Sequence, residues 1–146
     1  MQNIVLATDG SAYSDAAARC IADRKLFRDD ICVHVVHCLP DVSGEVKAYI
    51  NRQDIEAWHT DESSKVMKSA IDILQGANVQ TLWHALVGFA PERIVAYATA
   101  VKAEAIVMGT HGRGAFLDAI VGSVASRVIA HAACPVVLVR ALRRQE

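Results

Sequence analysis

Short apolar runs alternate along this chain with longer stretches in which apolar residues recur every three or four positions. Residues 4–7 are continuously apolar, which is typical of a strand covered on both faces in a parallel sheet. Pro40 and Gly88 end two of the other runs. The pattern predicts strands at residues 4–7, 31–36, 79–87, 105–108 and 136–139.

The stretches with a helical repeat lie between these runs. Ser11 can cap the first with its side chain, and Pro91 suits the first turn of the third, where a missing amide donor costs nothing. Residues 41–54 carry few apolar side chains and are expected to form a surface loop. Helices are expected from residue 12 to about 28, at 55–76, from 91 to 101 and at 124–133.

Strands that alternate with helices in this way predict an α/β fold in which one doubly wound sheet of five parallel strands is flanked by four helices. The length of 146 residues suits a single domain spanning 1–146. Ligands of such sheets bind at the carboxyl ends of the strands, where the strand order reverses. Asp9 and the segment after residue 108 both follow strands, so they share one crevice if those strands are neighbours.

Residues 109–123 form the least ordinary segment, because they combine several glycines with a terminal Ser123. Glycine allows tight turns and close approach of a ligand to the backbone. If Ser123 caps a helix, the free amides of its first turn face the loop and favour an anion such as phosphate. The alternative is that the glycines only make turns and Ser123 only caps.

Composition narrows the possible partners. The formal net charge of −1 gives no long-range attraction to nucleic acid or to an anionic membrane. The four cysteines form no C-x-x-C pair, residues 1–3 lack the basic start of a secretory leader, and no apolar stretch is long enough to span a membrane. A reduced, cytoplasmic protein is therefore expected, without nucleic-acid binding or membrane insertion.

Several other kinds of site are disfavoured by the motifs. The glycine segment lacks the G-K-[ST] ending of a Walker loop and the G-x-G-x-x-G dinucleotide pattern. Cys32 and His34 share a strand face but lack a third metal ligand. His37 and His111 lie near the expected crevice, although single loop histidines are usually only solvated. No nucleophile has a committed base and orienting group, so no catalytic residue is assigned.

The spacing Gly109-x2-Gly112-x9-Gly122-Ser123, together with Asp9 near the start and the run at 134–139, resembles the ATP-binding branch of the universal stress protein family. The resemblance covers nearly the whole chain except for about residues 40–55. It implies the strand order 3-2-1-4-5 of an adenine nucleotide alpha hydrolase-like fold. It also implies that adenine lies against the main chain at Val35 and that Mg²⁺ is shared with the phosphates.

The candidate binding residues come from both lines of reasoning. Amides near residues 112–113 and 122–124 suit phosphate oxygens, and Arg113 adds charge unless it is simply a solvated loop residue. Asp9 can accept hydrogen bonds from base or ribose, or hold a metal ion through water, unless it is only a turn residue. The full set is Ala7, Thr8, Asp9, Val35, Met108, Gly109, Gly112, Arg113, Gly122, Ser123 and Val124.

Three functional hypotheses follow. The first is a regulatory stress-response module in which bound ATP orders residues 109–123 and changes a partner surface, with at most slow hydrolysis. The second is an enzyme that hydrolyses ATP slowly or transfers an adenylyl or phosphoryl group, with Asp9 holding metal. The third is a structural dimer without nucleotide. The apolar edge strand Val136, Val137, Leu138 and Val139 also predicts a homodimer, as does the family resemblance.

Overall fold

A computed structural model of the chain describes residues 1–112 and 121–141. Its strands match the apolar runs of the sequence, with the second extended through His37 and Cys38 up to the proline at position 40. The strands are β1 (Gln2–Ala7), β2 (Ile31–Leu39), β3 (Gln80–Val87), β4 (Ala105–Gly109) and β5 (Val136–Val139).

Helices connect the strands. Ser11 caps the first helix as predicted, and its hydroxyl accepts a hydrogen bond from the amide of Ser14. Pro91 lies in the first turn of the fourth helix. The helices are α1 (Ala12–Ala22), α2 (Gly44–Tyr49), α3 (Arg52–Gly76), α4 (Ala90–Ala100) and α5 (Ser123–His131).

All five strands lie parallel in one sheet with the order β3-β2-β1-β4-β5, which confirms the predicted topology. β1 pairs with β2 on one side and with β4 on the other, with Leu6 opposite both Val35 and Val107. The strand order reverses at this point, so the carboxyl ends of β1 and β4 are neighbours. The crevice expected between them is therefore a real feature of the fold.

Two apolar layers cover the sheet. On one face α1 and α3 pack on side chains such as Leu6, Val33 and Val107, all fully buried. On the other face α4 and α5 pack on Val5 and Ile106, also fully buried. The four helices expected from the sequence make up these layers, whereas α2 buries none of its residues. Within the described ranges, no helix is both long and apolar enough to cross a membrane.

The structure corrects three local expectations. α1 ends at Ala22 instead of near residue 28, and Arg24 follows with a φ of 56°. The segment expected as a loop at 41–54 contains α2 and the start of α3, which are capped by the side chains of Ser43 and Asn51. Polar caps, and not an apolar stripe, specify these turns, so the hydrophobic pattern did not show them.

The third correction is at the start of α5. Gly122, and not Ser123, is its N-cap residue, with an extended ψ of 163° and no side-chain cap bond. The amide of Gly122 donates to the carbonyl of Thr110 at 2.7 Å, which holds residue 122 outside the helix. Ser123 therefore occupies the first helical position.

Candidate functional site

A hydrogen-bond network shapes the turn between β1 and α1. Asp9 Oδ1 accepts from the amide of Ser11 at 3.0 Å and lies 3.3 Å from the hydroxyl of Ser14. The hydroxyl of Thr8 donates to Ser14 Oγ at 2.8 Å and accepts from the amide of Gly10 at 3.1 Å. Gly10 has a φ of 78°, which a side chain would strain. The network thus fixes the Asp9 carboxylate at the carboxyl end of β1.

Glycines let the end of β4 and its following loop approach this turn. A Cβ on Gly109 would lie 2.7 Å from Tyr13 Cβ and 2.8 Å from the Tyr13 backbone carbonyl carbon. A Cβ on Gly112 would lie 2.5 Å from Asp9 Oδ2. The missing side chains therefore bring the loop after β4 into direct contact with α1 and with the Asp9 carboxylate.

The start of α5 closes the third side of the site. The carbonyl of Gly122 accepts the first helical hydrogen bond from the amide of Ser126 at 2.9 Å. The amides of residues 123–125 precede that bond and have no acceptor within the helix. With the positive end of the helix dipole, they form the kind of N-terminus that attracts a phosphate or a carboxylate.

These three segments enclose a cavity of about 730 Å³. It lies at the carboxyl ends of β1, β2 and β4, at the reversal point of the sheet. Most of the predicted site residues line it together, namely Ala7, Thr8, Asp9, Met108, Gly109, Gly112, Gly122, Ser123 and Val124. The residues singled out in the sequence at the end of β1 and after β4 therefore line the same cavity.

One of the described residues in the predicted set, Val35, does not line this cavity. Val35 is fully buried and packs in the layer beneath α1 and α3, and it is not among the residues that line the cavity. Its neighbours further along β2, Val36, His37 and Cys38, line the cavity instead. Arg113 lies outside the described residues, as does Gly114.

Sequence reasoning did not assign the wall formed by β2 and α4. Cys38 comes from the end of β2, and Ala90 and Ile94 come from the first turns of α4. The end of β2 and the start of α4 could have been expected here. Neighbouring parallel strands end at the same edge of the sheet, and the crossover helix that follows each strand begins at that edge. His37 and His111, noted near the crevice, also line the cavity.

Burial determines the state of the thiol in this wall. Burial raises the pKa of Cys38, and the positive charge of Arg93 opposes that shift. The Cys38 thiol lies 3.5 Å from the carbonyl of Gly88, to which it can donate. A protonated thiol is a poor nucleophile, so Cys38 serves as a wall residue.

Among the described residues that line the cavity, Asp9 supplies the one carboxylate, a group that suits a hard cation. Across the described part of the chain, no three or more His, Cys, Asp and Glu side chains are grouped so that they could hold a metal ion. Mg²⁺ commonly binds through one or two carboxylates plus phosphate oxygens of a ligand. Asp9 therefore fits Mg²⁺ only together with an anionic ligand.

The surroundings of Cys32 and His34 do not favour a metal site. His34 is 7% exposed, and its two ring nitrogens lie 2.9 Å from the hydroxyl of Tyr97 and 3.2 Å from Asn3 Oδ1. Both nitrogens thus have protein partners. The packing interpretation of this pair agrees with the structure.

Fold and cavity together define a doubly wound parallel α/β protein with a cavity beside a glycine-containing loop at its strand reversal. Residues 1–140 match the sequence model of the universal stress protein family. This chain belongs to that family, which confirms the resemblance seen in its glycine spacing.

Two curated relatives match this chain over most of their own length. A universal stress protein of Methanocaldococcus jannaschii is 32% identical over 146 positions, covering 99% of this chain and 85% of that protein. One from Thermus aquaticus is 33% identical, covering 95% and 98%. The structure of the universal stress protein from Archaeoglobus fulgidus in complex with dAMP superposes with a TM-score of 0.68 at 28% identity, covering 95% of this chain and 98% of that one.

Proposed function

We propose that this protein binds adenine nucleotides in the cavity between β1, β2, β4 and α5 and acts as a nucleotide-dependent regulatory module. One observation carries the proposal: the free first-turn amides of α5 and the fixed carboxylate of Asp9 line the same cavity, where Gly112 leaves room between loop and carboxylate. The Archaeoglobus fulgidus relative with dAMP supports the class of ligand.

The walls of the cavity suggest how the ligand lies. Phosphates suit the amides of residues 123–125, where the helix N-terminus favours negative charge, because the Gly122 amide already donates to Thr110. The ribose then passes Asp9, and the base reaches the end of β2. The cavity volume of about 730 Å³ is within the range of roughly 300–1,000 Å³ that small-molecule sites occupy.

ATP with Mg²⁺ is the specific ligand that we propose. Among the described residues of the cavity, Asp9 is the carboxylate available to the metal ion, and the phosphate oxygens of the nucleotide would supply further ligands. Arg113, from the segment between the described ranges, is proposed as an added positive charge at the phosphates. Bound nucleotide is proposed to control contact with a partner protein through the surface around residues 109–123.

Calorimetric titration tests the ligand class directly. AMP and Mg²⁺–ATP should each release or absorb heat at millimolar concentrations or below. Adenosine should bind at least about tenfold more weakly than AMP, because it lacks the charged group that the α5 amides accept. Absence of any heat with millimolar AMP and ATP would overturn the proposal.

We further propose a homodimer through β5. The amide of Ile106 donates to the carbonyl of Pro135, and the amide of Thr110 donates to the carbonyl of Val139. In a parallel ladder this register turns the N–H and C=O groups of Val136 and Leu138 away from β4. They form an edge that a second copy of the chain can pair with.

A pair of variants tests the dimer. Val136→Pro removes one outward N–H, whereas Val136→Ala keeps that N–H and also shortens the side chain. Light scattering at micromolar concentration should give a dimer mass for the native protein and for Val136→Ala. It should give a monomer mass, or a much weaker dimer, for Val136→Pro. A monomeric native protein would exclude this interface.

The remaining proposals concern setting and organisation. We propose that residues 1–146 act as one domain in the cytoplasm. The four cysteines are all free thiols, which suits a reducing compartment. Fractionation of cells that express the tagged full chain tests the location.

A further inference from the structure

β3 forms the longer of the two open edges of the described sheet. It lies at one end of the strand order, and within the described part of the chain its strand partner is β2. It has eight residues, whereas β5 at the opposite edge has four. Its sequence contains no Lys, Arg, Asp, Glu or Pro, the residue types that commonly protect an edge strand from further pairing. Nothing in its sequence therefore opposes the addition of another strand.

The ladder between β2 and β3 determines which main-chain groups face outward. The amide of Gly88 donates to the carbonyl of Leu39 at 2.9 Å, and Leu39 is in register with Val87. Alternate residues of a parallel strand bond to the same neighbour, so positions 82, 84 and 86 bond to β2. The N–H and C=O groups that point away belong to Thr81, Trp83, Ala85 and Val87. None of these groups is hydrogen-bonded to the main chain of another described residue.

Two large apolar side chains on this strand are open to solvent. Leu82 is 47% exposed and Trp83 is 42% exposed. Consecutive residues of a strand lie on opposite faces, so β3 carries exposed apolar surface on both faces. Burial of such surface against a partner is favourable. The edge thus combines the two features on which strand addition depends, free main-chain groups and uncovered apolar side chains.

The order of residues along β3 favours a second copy of the same strand as the partner. In an antiparallel pair with a two-fold axis at His84, every outward-facing residue meets an outward-facing residue of the other copy. Thr81 then lies opposite Val87, and both are β-branched. Trp83 lies opposite Ala85, a small side chain beside which the indole can pack.

The other face of the pair is equally compatible. Leu82 lies opposite Leu86 of the second copy, so two apolar side chains meet. Because the strand has no Lys, Arg, Asp or Glu, the two-fold axis brings no like charges of these types together. A strand of arbitrary sequence would not match itself on both faces in this way.

We propose that β3 is a second self-association surface, through which two copies of this chain pair antiparallel, edge to edge. This inference does not depend on nucleotide binding. Together with the pairing proposed for β5, it would extend the sheet from one copy to the next, because each copy would have a different neighbour at each edge.

The test uses Val136→Pro, in which pairing through β5 is disfavoured, so that the remaining association reports on β3. Light scattering at submillimolar concentration should show a dimer for this variant. Addition of Trp83→Lys should weaken that dimer at least about tenfold, because it replaces an apolar contact with a charge on each copy. Trp58→Lys is the matched control, since Trp58 lies on α3 and is 49% exposed, and it should leave the dimer unchanged.

A second variant tests the main-chain contribution. Ala85→Pro removes an outward N–H and leaves the bonds to β2 in place, so it should also weaken the dimer. Urea titration should show that both β3 variants remain folded. A Val136→Pro protein that stays monomeric would overturn the self-pairing and leave the edge to an extended segment of another protein. Dimers that persist in both Trp83→Lys and Ala85→Pro would equally overturn it.

Discussion

Gly112 and Asp9 are so close that a Cβ on Gly112 would lie 2.5 Å from Asp9 Oδ2. A methyl group there must displace either the carboxylate or the loop that carries the proposed phosphate site. The side chain of Asp9 can rotate, so the expected damage is to ligand geometry more than to the folded state.

Gly112→Ala should weaken AMP binding at least about tenfold, because hydrogen bonds to a charged ligand are lost when the loop shifts. Unfolding in urea should change little. Calorimetry and urea titration measure the two effects. Gly44→Ala is the control, since a Cβ on that exposed glycine would meet nothing within 4 Å. Native affinity in Gly112→Ala would contradict the proposed site.

Gly109→Ala should act on stability instead. Its Cβ would meet the backbone of Tyr13 at 2.8 and 2.9 Å, and backbone in a helix cannot move aside cheaply. Overpacking of this kind costs about 1–3 kcal/mol. Gly76→Ala, at a position with free space, should leave the free energy of unfolding unchanged or slightly higher. Equal stability of the two variants in urea would count against the Gly109 contact.

Asp9→Asn should separate the role of the carboxylate from that of the cavity. Asparagine can still accept from the amide of Ser11, so the turn is expected to persist. The gain in ATP affinity on adding Mg²⁺ should disappear, while AMP without metal should bind at least as tightly, because a negative charge near phosphate is removed. Asp23→Asn, an exposed change at the end of α1, should keep the Mg²⁺ effect. A persistent Mg²⁺ effect in Asp9→Asn would exclude Asp9 as the metal-binding carboxylate.

His34 should make the fold sensitive to acid. The side-chain nitrogen Nδ2 of Asn3 donates to the carbonyl of Val101. The other side-chain atom, Oδ1, therefore faces Nε2 of His34 and accepts from it. Nδ1 then accepts from the hydroxyl of Tyr97 at 2.9 Å. Protonation of Nδ1 would turn it into a donor, so the Tyr97 hydroxyl would have to change from donor to acceptor. Burial accordingly lowers the pKa of His34, and the charge of His84 lowers it further.

The sign of the pH effect follows from that shift. Unfolded chains take up a proton on histidine near pH 6.5, whereas folded His34 does so only at lower pH. The stabilisation is therefore complete above about pH 6.5 and is lost as the pH falls through the lowered pKa. Urea titrations from pH 7.5 to 5 should show a steeper loss of stability for the native protein than for His34→Gln. Parallel pH profiles would contradict this assignment.

Much of the fold could be predicted because apolar periodicity reports local burial. Residues 4–7 and 105–108 are continuously apolar, and both strands are covered on two faces in the structure. The order of the strands could not be predicted in this way, because strand pairing joins residues about 100 positions apart, such as Leu6 and Val107. No local pattern encodes that choice, and the family resemblance supplied it.

The candidate site was predictable where the backbone requires glycine or a cap. Gly112 and Asp9 stood out by residue type, and both line the cavity. His37 and Cys38 were harder to assign, because the end of β2 depends on where pairing stops and not on composition. Val35 lies just before the lining residues Val36, His37 and Cys38, because the cavity is at the carboxyl end of β2.

Thr110 gives the cavity a mechanical link to the rim of the sheet. Its carbonyl holds Gly122 at the start of α5, and its amide holds Val139 at the end of β5. Thr110 therefore hydrogen-bonds both to the start of α5, where phosphates are proposed to bind, and to β5, where the second copy is proposed to pair. A displacement of Thr110 would therefore disturb the start of α5 and the end of β5 together.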